Sequence, residues 1–300
     1  MNKTQARSLS SQRGLAVSSS RRNLIQRLGF TGLSLVAVFT LLPILFVVVY
    51  IFTNGFSALS LEFLFTFPRE GMRAGGILPA ILGTVYLTLG TSLVAMPLGI
   101  AAAIYLSEYA PDNNWTRTIR IAIINLAGIP SIVYGLFGLG IFVLFFKLGT
   151  SILASSLTLA IMTLPVVIST AEEALRSVPQ SFRVVSISLG ATKWQTVRQI
   201  VLPQSLPGIL TGVILGLERA AGETAPILFT GAAFYLPSLP RSPLDETMAL
   251  PYHLYVISTQ VPGMPVQVQY GTALVLLILV LSLNLLATII RSRARARRQW

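Results

Sequence analysis

Cysteine is missing from this chain altogether. That excludes disulfides, cysteine-ligated zinc and thiol redox chemistry. Histidine occurs once, at His253, in a stretch that reads as a polar loop, where a solitary histidine is a surface residue rather than a ligand. There is no G-x-x-x-x-G-K-S/T phosphate loop, and the dipeptide Gly-Lys never occurs, so any nucleotide hydrolysis has to come from a partner. Asp and Glu together number ten in 300 residues, and no cluster of aspartates offers itself to a metal. Charge of either sign is scarce at 11% of residues, where soluble domains carry about a quarter.

What is present instead is apolar. The composition is 53% hydrophobic with a mean hydropathy of +0.74, which predicts an all-α protein crossing a membrane several times. Six stretches reach the roughly 20 apolar residues that a span requires: 30–52, 77–106, 119–146, 151–170, 206–236 and 268–290. The second is long for a straight helix, and Pro79, Gly83, Gly90, Pro97 and Gly99 allow it to bend or tilt. Pro130 predicts a kink in the third, and Pro165 lies near the end of the fourth. Between spans, 53–76 is a charge-balanced loop with an interfacial segment at 61–67, and 237–267 is a Pro-rich loop.

The net charge of +12 sits in tails and loops, which argues for membrane orientation and against a nucleic-acid-binding face. Six spans put both termini on one side. That side holds seventeen Lys and Arg residues against four on the other, with Arg219 in the membrane. The positive-inside rule then places both termini and the 171–205 loop in the cytosol. Residues 1–29, rich in serine and arginine and free of acids, read as a disordered cytosolic tail; an organelle transit peptide has a similar composition. Residues 291–300 form a second basic tail, leaving 30–290 as the membrane domain.

The most informative stretch is 206–229, LPGILTGVILGLERAAGETAPILF. It is apolar enough for a bilayer yet carries Glu218, Arg219 and Glu223. A charge at mid-membrane costs about 2.5–3.5 kcal/mol on the insertion scale, so such groups pair, face a polar path or act. At about 100° per residue, Gly208, Gly212 and Gly216 form a ladder along which another helix can approach closely. Arg219 and Glu223 fall on the same side, about 60° and 20° from Gly216, and their i, i+4 spacing lets them pair. Glu218 points the other way. Pro226 cannot donate to Gly222 and predicts a kink or break, which membranes tolerate where the chain lines a cavity. Two readings stand: an ion pair locking two helices, and a charged pair in a polar pathway.

The loop 171–205 reads as a helical hairpin. The segment 180–189 is helix-compatible after Pro179, Gly190 is a natural stop, and Thr192 with Gln195 fits the capping box of a second helix running to Pro203. Its apolar residues Phe182, Val185, Leu189 and Trp194 need a cover. Lipid, with Lys193, Trp194 and Arg198 as anchors, and a cytosolic partner both fit.

Gly190, followed after nine residues by Ile200, Leu202 and Pro203, resembles the coupling-loop signature of ABC importer permeases. The stretches GGILPAILGTVYLT (75–88), AGIPSIVYGLFGLG (127–140) and RAAGETAPILFT (219–230) resemble the phosphate importer permeases in particular, the last being most similar to the second of their two sister subunits. The likeness covers roughly 75–290. In that signature Glu-Ala-Ala precedes the glycine by six residues, whereas here those positions hold Val184, Val185 and Ser186; Glu172 and Glu173 are out of register.

The resemblance implies a six-span ABC importer type I permease fold. It implies half of a heterodimeric pore for inorganic phosphate, partnered by a sister permease, two ATPase subunits and an external phosphate-binding protein in a bacterial inner membrane. The substrate pathway would involve Arg219 and Glu223, with Glu218 and Thr224 beside them. Arg183, Gly190, Ala191, Thr192, Trp194, Ile200, Leu202 and Pro203 would couple to the ATPase. Gly208, Gly212, Gly216, Pro130 and Pro226 would serve helix packing and bending. Neither a metal nor a cofactor is expected. A membrane enzyme using buried Glu and Arg lacks a His or Cys nucleophile, and an ion-coupled carrier would transport without an ATPase.

Overall fold

The computed structural model describes the backbone of residues 3–296 and the side chains of residues 23–293. Two compact units result, 1–53 and 54–300. The first is essentially one helix, α1 (Lys3–Gly55), in which the only proline is Pro43. The sequence places a disordered tail at 1–29 and starts the span at residue 30; the helix instead begins at Lys3. The expected roles of the side chains of 1–22 and of 297–300 lie outside the described residues.

The second unit opens with α2 (Leu61–Phe65) and a short antiparallel pair, β1 (Pro68–Arg69) with β2 (Ala74–Gly75). Next comes α3 (Leu78–Ile104), whose last turn widens into a π-turn at Tyr105–Tyr109. The expected third span is not one helix. It is α4 (Asn114–Ala127) and α5 (Ser131–Gly138, continued as a π-turn to Phe145), bent by 101° with Pro130 capping the second piece. Pro130 disfavours helical backbone at Ile129 and so enforces the break that the sequence predicts as a kink.

The next helix, α6 (Ile152–Arg176), is followed by α7 (Gln180–Ser188) and α8 (Lys193–Thr196). The chain then runs without interruption through a π-turn, Val197–Val201, into α9 (Leu202–Gly222). The fifth span is therefore Lys193–Gly222, not 206–236, and Pro203 does not end the hairpin's second helix. At Pro203, in the first turn after the π-turn, the missing N–H removes no regular helical bond.

The remaining helices are α10 (Ala225–Thr230), α11 (Leu250–Thr259) and α12 (Val266–Ala296). Among the described residues five helices are long and apolar enough to cross a membrane, and six if the bent α4–α5 pair counts as one crossing.

Helices α3, α6 and α9 pack through small residues. A Cβ on Gly99 would lie 2.7 Å from Val167 Cγ1, and one on Gly208, Gly212 or Gly216 would lie 2.4, 2.7 or 3.0 Å from Ala174, Thr170 or Val167 of α6. The glycine ladder thus faces a helix, as its spacing predicts, and permits the close approach that drives association in lipid. Buried threonines on these helices return their hydroxyls to their own backbone, Thr88 to Thr84 O and Thr163 to Leu159 O, so these groups are paired within the seam.

Two apolar cores cap the bundle. The larger gathers Phe63, Leu87, Met162, Ile227, Leu250 and Ile257; the smaller, at the hairpin end, gathers Ala103, Ala171, Leu175, Val201 and Ile209. The 237–267 segment, expected as loop, contains α11, whose Leu250, His253, Val256 and Ile257 are spaced to one face and buried. His253, expected at the surface, is only 2% exposed, and burial pulls its pKa from 6.5 to about 4. Leu250 N–H donates to Thr84 Oγ1 at 2.8 Å, which pins the start of α11 to α3.

Candidate functional site

The charged end of α9 meets the bent pair. Helix α9 stops at Gly222, Glu223 is extended (φ −77°, ψ 137°), and α10 restarts at Ala225 with Pro226 in its first turn. The break expected near Pro226 falls at Glu223 and Thr224, and Pro226 lies in the first turn of the new helix. The restart packs on α5: a Cβ on Gly135 would lie 2.9 Å from Pro226 Cα and 3.1 Å from the Ala225 carbonyl oxygen. The second piece of the span broken at Pro130 and the short helix that follows α9 therefore lie against each other as α5 and α10.

Arg219 Nε stands 3.5 Å from Glu223 Oε1, with the two side chains 30% and 18% exposed. The i, i+4 spacing brings them together as expected, yet the contact is an ion pair without a hydrogen bond. Neither terminal guanidinium nitrogen of Arg219 has a hydrogen-bond partner among the described residues. Tyr134 of α5 lies within electrostatic reach of this guanidinium, and its hydroxyl donates to Leu126 O at 2.8 Å across the bend. Glu218 is half-buried and makes no hydrogen bond or ion pair among the described residues. Thr224, also half-buried, offers its carbonyl to Leu228 N–H in the new helix.

The hairpin is built as its sequence predicts up to Thr192. Helix α7 ends, Gly190 takes φ +87°, and Thr192 forms a capping box with Gln195. Ser186 and Thr196 hydroxyls meet at 2.8 Å and hold the two arms together. The outward face is apolar: Val184, Val185, Ile187, Leu189 (84% exposed) and Trp194 are uncovered. Gly190, Thr192 and Pro203 share that exposure, while Ala191, Ile200 and Leu202 are half-buried.

Arg183 does not share it. Its guanidinium grips Glu108 at the end of α3, Nη2 to Oε1 at 2.7 Å and Nε to Oε2 at 3.1 Å, and donates to the carbonyls of Val178 and Leu175. The expected site residues do not include Glu108. The signal available was an acid among the apolar residues closing a span. Glu172, out of register with the coupling signature, has its own partners: Arg120 at 2.8 Å and Arg176 at 2.9 Å.

Residues 95–298, more than half of the chain, match the family model described as binding-protein-dependent transport system inner membrane component. Among curated relatives, the chain is 36% identical to the probable ABC transporter permease protein YqgI of Bacillus subtilis, over 76% of this chain and 82% of that one. It is 33% identical to the probable phosphate transport system permease protein PstA of Methanocaldococcus jannaschii (82% and 85% covered) and 38% identical to phosphate transport system permease protein PstA of Pasteurella multocida (70% and 74%). The fold is similar to a chain of the inward-facing MetNI methionine ABC transporter, with a TM-score of 0.60 at 18% identity, covering 73% of this chain and 95% of that one.

Proposed function

Because the chain belongs to the family of inner membrane components of binding-protein-dependent transport systems, we propose that it forms half of an ATP-driven translocation pathway for inorganic phosphate. It is a multi-span transporter permease rather than an enzyme. A sister permease completes the pore, two cytosolic ATPase subunits supply hydrolysis, and an external binding protein delivers phosphate. The bacterial inner membrane holds the complex with both termini cytosolic, a reading supported by the basic asymmetry of the loops.

One observation carries the substrate role: Arg219 sits at a helix break with its planar fork unengaged. A guanidinium offers paired donors that match an oxyanion, and a partly desolvated site strengthens that contact. Glu223 restrains the cation at 3.5 Å without consuming its donors and can yield it to phosphate as the spans rearrange. Thr224 and Glu218 flank the break. On the cytosolic side the exposed apolar face of α7, with Gly190, Ala191, Thr192 and Trp194, docks the ATPase, while Ile200, Leu202 and Pro203 carry the displacement into α9. The helix that runs without interruption from Lys193 to Gly222 connects the hairpin directly to Arg219.

The test is isolation of the tagged chain from its native membrane, followed by reconstitution into proteoliposomes. Co-purification of a second permease and an ATPase, with phosphate uptake that needs both ATP and the binding protein, is the expected result. Uptake that persists without any ATPase would establish an ion-coupled carrier instead.

A further inference from the structure

Three helices reach the same short stretch, the π-turn Tyr105–Tyr109 that ends α3. From α7, Arg183 engages both oxygens of Glu108. From α8, the Lys193 ammonium stands 5.1 Å above the Tyr109 ring. From α4, Arg120 donates to Leu106 O at 2.7 Å while pairing with Glu172 of α6. The Arg183–Glu108 pair is the most enclosed ion pair among those described, at 11% and 7% exposed. Arg183 also donates to Leu175 and Val178 carbonyls at the end of α6, so one side chain binds the hairpin to two spans.

We infer that Glu108 and Arg183 are a positioning pair that transmits displacement of the hairpin to α3. This rests on the reading of the hairpin as the ATPase contact. Two features separate a mechanical role from simple anchoring. The first is geometry: a bidentate carboxylate–guanidinium contact resists rotation as well as separation, which a single contact does not. The second is placement. A π-turn is a locally widened helix that can gain or lose a residue's register without breaking, and the pair is attached at such a turn. The hairpin is also linked to α9 through its own π-turn, Val197–Val201, so both outputs of the hairpin pass through the same kind of joint. Val184, next in sequence to Arg183, is exposed. Residue 183 thus holds the membrane side of the hairpin while 184 faces away from it.

The experiment measures phosphate taken up per ATP hydrolysed in proteoliposomes containing the complete complex. For Glu108→Gln, which keeps the shape and removes the charge, the expectation is near-normal complex yield with a tenfold or greater fall in that ratio. Arg183→Lys should show a smaller fall, and the swap Glu108→Arg with Arg183→Glu should recover the ratio at least severalfold over either single change. An unchanged ratio in Glu108→Gln would overturn the inference. So would loss of complex in every variant with no recovery by the swap, which would assign the pair to folding alone. Failure of the wild-type chain to retain an ATPase would instead remove the coupling reading itself, and this inference with it.

Discussion

Replacing Arg219 and Glu223 singly and together separates a lock from a ligand. One-sided loss of a fully buried ion pair costs about 3–5 kcal/mol, because a lone charge stays desolvated. This pair is 30% and 18% exposed, and its 3.5 Å contact carries no hydrogen bond, so we expect about 1–2 kcal/mol for either single change to Gln. The double change leaves no stranded charge and should destabilise by less than either. If the pair only locks helices, the double variant transports. If Arg219 meets phosphate, the double variant assembles and is inactive. Arg219→Lys is the sharper probe. It keeps the charge but loses the fork, and one charge-assisted hydrogen bond is worth about 1.5–3 kcal/mol. Felt at the transport barrier, that is a roughly ten- to hundredfold fall in uptake at near-normal complex yield. Thermal unfolding in detergent and phosphate uptake in proteoliposomes measure the two arms. Wild-type uptake by the double variant would refute the pathway role.

Gly190 has φ +87° and nothing within 4 Å of an added Cβ, so Gly190→Val incurs backbone strain of about 1–3 kcal/mol without a clash; lowered uptake per ATP at normal complex yield is expected, and Gly190→Asn should be close to wild type. Gly212→Ala sets a methyl 2.7 Å from Thr170 Cβ, so α6 and α9 must separate; a loss of about 1–3 kcal/mol should appear as a lower unfolding midpoint. His253 is neutral when folded, with a pKa of about 4 against 6.5 ordinarily. Stability is therefore flat above pH 6.5 and falls as pH drops toward 4, by up to about 3 kcal/mol, and His253→Phe should flatten that slope in unfolding scans.

Much of this architecture was legible because membrane burial writes long signals. The glycine ladder at 208, 212 and 216 gave both the seam and its face, and the capping box at Thr192 and Gln195 gave the hairpin's second start. The misplaced elements share a cause: Pro203 is expected to end a helix, and the prolines of 237–267 to keep that segment a loop. At Pro203 a π-turn absorbs the missing donor and the helix continues; at Pro226 and Pro251 proline opens a helix. Local sequence does not distinguish these cases, because the answer depends on where the preceding carbonyls find donors. His253 was misplaced for the same reason, since flanking prolines suggested a loop where one face of α11 is buried. The Glu108–Arg183 contact spans 75 residues, and no local pattern links its ends.

Arg183 on α7 and Arg219 on α9 are satisfied very differently. Arg183 engages Glu108 through two nitrogens and uses its remaining donors on Val178 and Leu175 carbonyls. A guanidinium so occupied is part of the scaffold: rearranging it means breaking several charge-assisted bonds at once, which suits a part that transmits motion without slipping. Arg219 has one loose ionic neighbour and no hydrogen bond among the described residues. Leaving a partly buried cation so poorly satisfied at the end of a span is unfavourable unless another group completes it. The hairpin, the continuous helix from Lys193 to Gly222 and the break at Thr224 connect the first arginine's surroundings to the second. Under the proposed function, displacement delivered at the satisfied end arrives where donors are open, and a shift of the break relative to α5 changes what Arg219 can reach. In the proposed pathway this ordering, satisfied at the input and unsaturated at the output, suits release of an anion on one side.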